Sequence, residues 1–434
     1  MTPAARVSAA IEVLADIESR RRPAADALKD WGLAHRFAGS GDRAAIAGLV
    51  YDALRRKASA AWVMGAATPR AVVLGMLKRE RALDVEAIAA LADGSRFAPA
   101  VLTAEERERL AHATLDEAPP HVIGDYPEWL DPHLAATFGD ERAEEGAALA
   151  ARAPLDLRVN TLKADRDKAA AALAHLYPQA SRWSPCGLRM ALLPDSKSPA
   201  LHAEPAFRKG FVEVQDEGSQ LAALLAGARA GEQVIDLCAG AGGKTLALAA
   251  AMQNHGQIYA TDSDKRRLAP IHERLERAGA RNVQVRTPKG SADVLADLVG
   301  RADLVLIDAP CTGTGSWRRN PDAKWRVRPG ALGTRIKEQA AALDRAAALV
   351  KPAGRIAYVT CSVLADENGA QVRAFLARHP GFALVSPTTV TEVLGERALL
   401  FRRAVLIFDE GILMTPRRTD TDGFFVSILS CSPA

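Results

Sequence analysis

Two cysteines are the residues of this chain best placed to do chemistry. Cys311 stands in Asp308-Ala309-Pro310-Cys311 and Cys361 in Thr360-Cys361-Ser362. Each closes an apolar run that reads as a strand, Leu304-Val305-Leu306-Ile307 and Arg355-Ile356-Ala357-Tyr358-Val359. Upstream lies a glycine-rich turn, Asp236-Leu237-Cys238-Ala239-Gly240-Ala241-Gly242-Gly243-Lys244-Thr245. In a shared parallel sheet, the strands would carry both thiols to the crevice where such sheets bind ligands. A thiol beside an Asp and a Lys suits nucleophilic attack on an electron-poor ring.

The elements needed to position these groups are legible from Gly231 onward. Strands are expected at Gln233–Cys238, Gln257–Thr261, Asn282–Val285, Asp303–Ile307 and Arg355–Thr360, and helices at Gly243–Met252, Asp264–Ala278, about 334–350 and Asp366–Arg378. This alternation predicts an α/β fold with a doubly wound parallel sheet. Phe424–Leu429, after the turn at Asp422-Gly423, reads as a terminal edge strand. Residues 1–145 have helical spacing, as in Asp42–Leu54, where Ile46, Leu49, Val50 and Leu54 recur every three or four residues and Asp42 is the expected N-cap. Further helices are expected from about Ala5, Pro69, Asp84 and Ala104, giving an all-α bundle. Between these parts, residues 146–230 read as a small α/β module. Its strands are Leu155–Asn160, Met190–Leu193 and Gly210–Val214, and its helix is Asp167–Leu176. The three expected domains are therefore 1–145, 146–230 and 231–434.

At 434 residues, with 48% hydrophobic and 25% charged residues, the chain suits several soluble domains rather than one core. No run of eighteen apolar residues suggests a membrane span, and the amphipathic start lacks a signal-peptide block, so a cytoplasmic protein is expected. The five cysteines (Cys186, Cys238, Cys311, Cys361, Cys431) have no zinc spacing, so neither a metal nor disulfides are expected. Net charge is only +4, but Trp317 to Arg328 sets five cations and two indoles against one acid. Arg318, Arg319, Lys324 and Trp325 in that stretch are candidates for phosphate contact and base stacking, against the alternative of a solvated loop with two packed tryptophans.

The glycine turn between a strand and a helix would let a ligand approach backbone amides. A Walker A loop is disfavoured, because its first glycine would fall at Cys238. Asp262, 22 residues after Gly240, is placed for ribose hydroxyls, or else to cap the next helix. The residues alone leave an adenosine-derived cofactor whose identity is open between NAD and S-adenosylmethionine.

Taken together, Asp-Ala-Pro-Cys and Thr-Cys-Ser closely resemble the Sun family of RNA cytosine-C5 methyltransferases, which use S-adenosylmethionine. Arg158-Val159-Asn160-Thr161 and Gln215 to Leu221 resemble the family's pre-catalytic motifs. Asn320-Pro321-Asp322-Ala323-Lys324-Trp325, Glu367-Asn368 and Asp422-Gly423-Phe424-Phe425 resemble its later ones. The helical bundle is similar to the NusB-like RNA-binding domain of the bacterial RsmB type. The resemblance implies a Rossmann-like methyltransferase domain and small-subunit ribosomal RNA as partner; a monomer is expected.

It also implies the site. Cys361 is the nucleophile and Cys311 assists product release. Asp308 and Lys244 support the adduct. Cys238, Ala239, Gly240, Ala241, Gly242, Gly243, Lys244, Asp262 and Asp308 line the cofactor pocket, with the Cys238 side chain as packing. Arg158 and Asn160 join the RNA-contact candidates. One departure is the stretch Val285 to Ser291, which has no acid where the family carries one for adenine. Asp293 or backbone groups are left for that role. The sequence itself does not decide which thiol attacks, since DNA cytosine methyltransferases use the Pro-Cys thiol. Transfer RNA is the alternative substrate. An NAD-dependent oxidoreductase would leave the cysteine pair without work, and a non-catalytic RNA-binding assembly factor would not need it.

Overall fold

The computed structural model describes residues 1–191, 199–290 and 292–433. Part of the strand expected at Met190–Leu193 lies outside them, as does Ser291. The chain divides into two compact units, the first holding residues 1–152 together with Trp317–Arg328. The other described residues form the second, so the expected α/β module and last domain share one unit.

The first unit is helical. Pro3–Arg20 begins on Thr2, whose hydroxyl accepts from the Ala5 N–H, and ends at Arg21 in the left-handed region. Its buried Val7, Ala10, Val13, Leu14 and Ile17 form one stripe. The helix expected at Asp42–Leu54 is Ser40–Arg55, and its N-cap is Gly39 rather than Asp42. Asp42 instead lies in the first turn, where its carboxylate meets the Met1 ammonium at 3.2 Å and Arg6 at 2.8 Å. Among the helices that escaped the sequence reading are Ala24–Ala34 and Lys57–Met64. Neither has a side-chain N-cap to announce it.

Trp317–Arg328 is bound into this bundle. Asp322 Oδ2 accepts from Ala24 N (3.2 Å), and Trp325 Nε1 donates to Leu54 O (2.7 Å). Lys324 Nζ donates to Arg55 O (3.1 Å), and Arg55 Nη2 donates to Arg318 O (2.9 Å). Trp325 packs against the apolar core of the bundle.

The second unit contains two sheets. The smaller one is antiparallel in the order β2-β3-β1-β4, from β1 (Leu155–Val159), β2 (Gln179–Ala180), β3 (Gly187–Met190) and β4 (Val212–Val214). The larger sheet has nine strands. Its parallel part is β7-β6-β5-β8-β9, from β5 (Gln233–Asp236), β6 (Gln257–Ala260), β7 (Val283–Val285), β8 (Ala302–Asp308) and β9 (Val350–Thr360). Leu304 to Ile307 and Ile356 to Val359 are fully buried, as expected for strands covered on both faces. The chain runs outward from β5 through β6 and β7, then returns to β8 on the other side of β5. The switch point therefore lies between β5 and β8.

Phe424–Cys431 is not the expected edge strand. As β13 it lies inside the sheet, antiparallel to β9 on one side and to β12 (Gly411–Met414) on the other, with β10 (Phe382–Leu384) also pairing to it. β11 (Leu406–Phe408) pairs with β12 and extends the sheet beyond it. The helix expected at Asp264–Ala278 is split at Pro270 into Lys265–Leu268 and Ile271–Ala278. Among the described residues, no single helix is long and apolar enough to cross a membrane.

Candidate active site

The turn after β5 is held from several sides. Leu237 N donates to Leu306 O, Ala239 N to Thr261 O, and Arg274 Nη1 to Ala241 O. Gly240 and Gly242 both have positive φ (50° and 84°). A Cβ on Gly242 would also lie 2.5 Å from Ile271, so that position requires glycine. A Cβ on Gly240 would instead extend toward Asp262, 3.9 Å from its Oδ2, narrowing the space in front of that carboxylate.

Asp262 is buried. Its Oδ2 accepts from Gly240 N and its Oδ1 from Asp264 N, both at 2.9 Å, and Asp264 rather than Asp262 caps the following helix. Asp236, at the end of β5, accepts from Thr245 Oγ1 through Oδ2 (2.7 Å), but its buried Oδ1 has no protein partner. An orphaned carboxylate oxygen, a glycine face without Cβ atoms, and the Asp262 carboxylate suit a cationic, hydroxyl-bearing adenosine ligand. S-adenosylmethionine fits that description. Asp293, the expected substitute on the adenine side, is occupied: both its oxygens accept from Arg345 (2.7 and 2.6 Å).

Burial, reinforced by the Asp308 and Asp262 charges and opposed by the Thr245 hydroxyl and Lys244, pushes the Asp236 carboxyl up to about 7. Its folded pKa lies above the ordinary 3.8, so its contribution to stability is full below that value and is lost as pH rises through about 7. The loss should be on the order of a few kcal/mol. In cofactor-free protein, Asp236→Asn, which keeps an acceptor for Thr245, is therefore expected to gain stability over wild type between pH 5.5 and 8. Denaturant midpoints at the two pH values measure this. A difference independent of pH would mean that Asp236 ionises normally.

At the ends of β8 and β9 the expected groups form two close pairs. Lys244 Nζ lies 2.7 Å from Asp308 Oδ2 and 5.0 Å from the centre of the Phe424 ring. Lys244 is buried and Asp308 partly exposed, so the carboxylate presents one face outward with its charge partner fixed behind it. Cys311 Sγ and Cys361 Sγ are 3.2 Å apart. The Cys361 sulfur, burial and the Glu367 charge hold the Cys311 thiol well above its ordinary range, which favours its protonated form. Burial and the carboxylates of Asp236, Asp308 and Asp262 likewise push the Cys238 thiol up, leaving it a neutral packing group.

The RNA-contact expectations fare differently. Arg158 is buried, with Nη1 donating to Gln215 Oε1 (2.5 Å) and Gly243 O (2.7 Å), and burial lowers it to about 10. Asn160 Nδ2 donates to Gly210 O (2.9 Å) and Ala278 O (2.8 Å). These two side chains link β1 to the glycine-turn helix and to the end of Ile271–Ala278. Lys324 and Arg318 are buried, Arg319 and Trp325 half-buried. Burial lowers Lys324 to about 7. Buried groups already bonded to main-chain carbonyls cannot also reach phosphates, so Arg158, Asn160 and Lys324 serve the fold. A groove of about 960 Å³ in the second unit, which the sequence reading missed, is lined by charges of both signs: Lys163, Arg208, Lys209, Arg274 and Arg277 together with Glu213, Glu273 and Glu276, with Arg274 and Arg277 paired to Glu213 (3.0 and 2.6 Å).

Comparison with known proteins shows what the chain is similar to. The family profile described as 16S rRNA methyltransferase RsmB/F matches residues 223–430, and the RsmF/B-like ferredoxin-like domain profile matches 126–192. The ribosomal RNA small subunit methyltransferase B of Sodalis glossinidius is 33% identical over 346 residues, 76% of this chain and 68% of that protein. The probable enzyme of the same name from Synechocystis sp. is 32% identical over 307 residues, 70% of this chain. The chain spans 66% of that protein, slightly under two thirds of its length. Among solved structures, PH0851 superposes with a TM-score of 0.72 at 25% identity, covering 99% of both chains. The NSun6 of Pyrococcus horikoshii, solved with SFG, has a TM-score of 0.61 at 22% identity over 72% of this chain and all of that one, a likeness of fold.

Proposed function

We propose that this chain, which belongs to the RsmB/F family of 16S rRNA methyltransferases, transfers a methyl group from S-adenosylmethionine to C5 of a cytosine in small-subunit ribosomal RNA. The reaction proceeds through a covalent bond from Cys361 to C6. The observation that carries the reading is the 3.2 Å approach of two thiols on the turns after β8 and β9, with Asp308, paired to Lys244, ending β8.

Cytosine C5 is too poor a nucleophile to accept a methyl group directly. Addition of the Cys361 thiolate to C6 makes C5 enamine-like, and Asp308 stabilises the adduct from the N3 and exocyclic-amine side. Lys244 orients Asp308 and places positive charge behind it. S-adenosylmethionine, when bound, supplies an electrophilic sulfonium methyl. After C5 is methylated, a base, for which solvent water suffices, takes the C5 proton. The electron pair left behind forms the C5–C6 double bond as the Cys361–C6 bond breaks and Cys361 leaves as thiolate. Cys311, held protonated, gives its hydrogen bond to the departing Cys361 sulfur. The target base must leave its stack to reach the thiols, so a looped or flipped nucleotide is required.

Incubation with small-subunit RNA and labelled S-adenosylmethionine, followed by nucleoside mass spectrometry, is expected to yield 5-methylcytidine. Label in another nucleoside would refute C5 chemistry. Preference for transfer RNA under the same conditions would move the substrate. Binding of RNA without transfer, even on partly assembled subunits, would leave an assembly factor.

A further inference from the structure

Both thiols sit on turns that have just left a strand, and the two turns meet where Gly315 N donates to Cys361 O (2.9 Å) and the Thr314 and Ser362 hydroxyls pair at 3.0 Å. Those bonds join the turns but leave the residues flanking Cys311 unfixed, and two consecutive buried residues ahead of the helix Gly369–Arg378 add the restraints on either side of each thiol. Glu367 Oε1 accepts from Thr312 N (2.8 Å) and from Gln339 Nε2 (3.0 Å), while its Oε2 accepts from the Thr312 hydroxyl (2.5 Å). Gln339 Nε2 also donates to Pro310 O at 3.0 Å. One carboxylate and the amide it holds thus fix the residues on both sides of Cys311.

Asn368 treats the other turn in the same way. Its Oδ1 accepts from Thr360 Oγ1 (2.5 Å) and its Nδ2 donates to Ser362 O (2.9 Å), the residues on both sides of Cys361. The dipeptide is itself anchored, since Glu367 O accepts from the Tyr358 hydroxyl (2.6 Å), and Glu367 N and Asn368 N donate to Leu364 O and Ala365 O.

We propose that Glu367 and Asn368 are positioning residues that divide the two thiols between them, Glu367 registering the Cys311 turn and Asn368 the Cys361 turn. A misplacement of about 1 Å at a reacting group costs on the order of a hundredfold in rate. Because each side chain serves one turn, the two lesions separate the halves of the reaction. The assignment of halves rests on the proposed cytosine-C5 reading. The register itself does not.

The test uses the full chain. Glu367→Gln puts an amide where three donors converge, and Asn368→Asp removes the donor to Ser362 O while keeping the acceptor for Thr360. With RNA and S-adenosylmethionine, Glu367→Gln is expected to accumulate protein–RNA adduct, with kcat lowered at least about tenfold and KM for RNA unchanged. Asn368→Asp is expected to slow adduct formation at least about tenfold with no accumulation. Melting temperature and S-adenosylmethionine affinity control for general damage, which would slow both steps in proportion and overturn the proposal. A second measurement needs no RNA. Diamide takes two electrons and two protons from a close thiol pair, leaving a disulfide and a hydrazine. The initial rate of the Cys311–Cys361 link, read by peptide mass spectrometry, is expected to fall at least about tenfold in each variant. Unchanged linking rates would overturn the register. Slowed linking without any adduct in wild type or Cys311→Ala would uphold the register and refute the C5 reading instead.

Discussion

Cys361→Ala is expected to lose methyl transfer by roughly a thousandfold or more, while Cys311→Ala keeps forming the bond to RNA and fails to release it. The asymmetry follows from the different part each thiol takes in the proposed reaction. Cys311 is kept protonated by the Cys361 sulfur, burial and the Glu367 charge, which makes it a donor and a poor nucleophile. Cys361, 3.2 Å away, is the sulfur able to receive that hydrogen bond as it forms or leaves the bond to C6. Without Cys361 no enamine-like C5 can form, and the remaining groups only bind. Without Cys311 the addition still proceeds, but the elimination loses the group that stabilises the leaving thiolate. Denaturing electrophoresis of each variant with RNA and S-adenosylmethionine separates the cases. The expected pattern is a slow-migrating adduct for Cys311→Ala that disappears in the Cys311→Ala/Cys361→Ala double mutant. An adduct from Cys361→Ala instead would reverse the roles of the thiols.

The parallel strands were legible because Leu304 to Ile307 and Ile356 to Val359 are unbroken apolar runs. Their common direction placed Cys311 and Cys361 together before any distance was known. The antiparallel side was not legible. β10, β11 and β12 are three or four residues long, and the Asp409-Glu410 turn between β11 and β12 carries no glycine or asparagine to mark a hairpin. Without those strands, Phe424–Cys431 looked like an edge. The burial of Arg158 and Lys324 was not legible for a different reason. A cation in a single sequence is most simply read as solvent-facing. Nothing in Lys324 or Arg158 alone announces that Arg55 O or Gly243 O waits for it. The orphaned Asp236 oxygen and the division of work between Glu367 and Asn368 both depend on which atoms face which, and that is a tertiary property.

Protein beginning at Ala153 is expected to bind S-adenosylmethionine within a few-fold of the full chain yet lose methyl transfer by about a hundredfold, even on a short RNA. The glycine turn, Asp262 and the Lys244–Asp308 pair all belong to the second unit, so the cofactor groups survive the truncation. The stretch Trp317–Arg328 does not survive it. It begins six residues after Cys311, and Leu54 O, Arg55 O, Ala24 N and the apolar bed of Trp325 all leave with residues 1–152. Freed of those partners, Trp317–Arg328 becomes an unanchored loop between the Cys311 turn, which keeps its bonds to Glu367 and Gln339, and the helix Pro329–Leu349. Loss of activity on truncation would therefore not by itself identify the helical bundle as an RNA-binding domain of the NusB type. Trp325→Ala in the full chain makes the distinction, because it removes the anchor and keeps the surface of the bundle. It should lower stability by about 3 kcal/mol and reduce turnover without weakening RNA binding. If the truncated chain loses RNA affinity that Trp325→Ala retains, the bundle holds RNA. If both retain affinity and both lose turnover, its contribution is to fix the segment that follows Cys311.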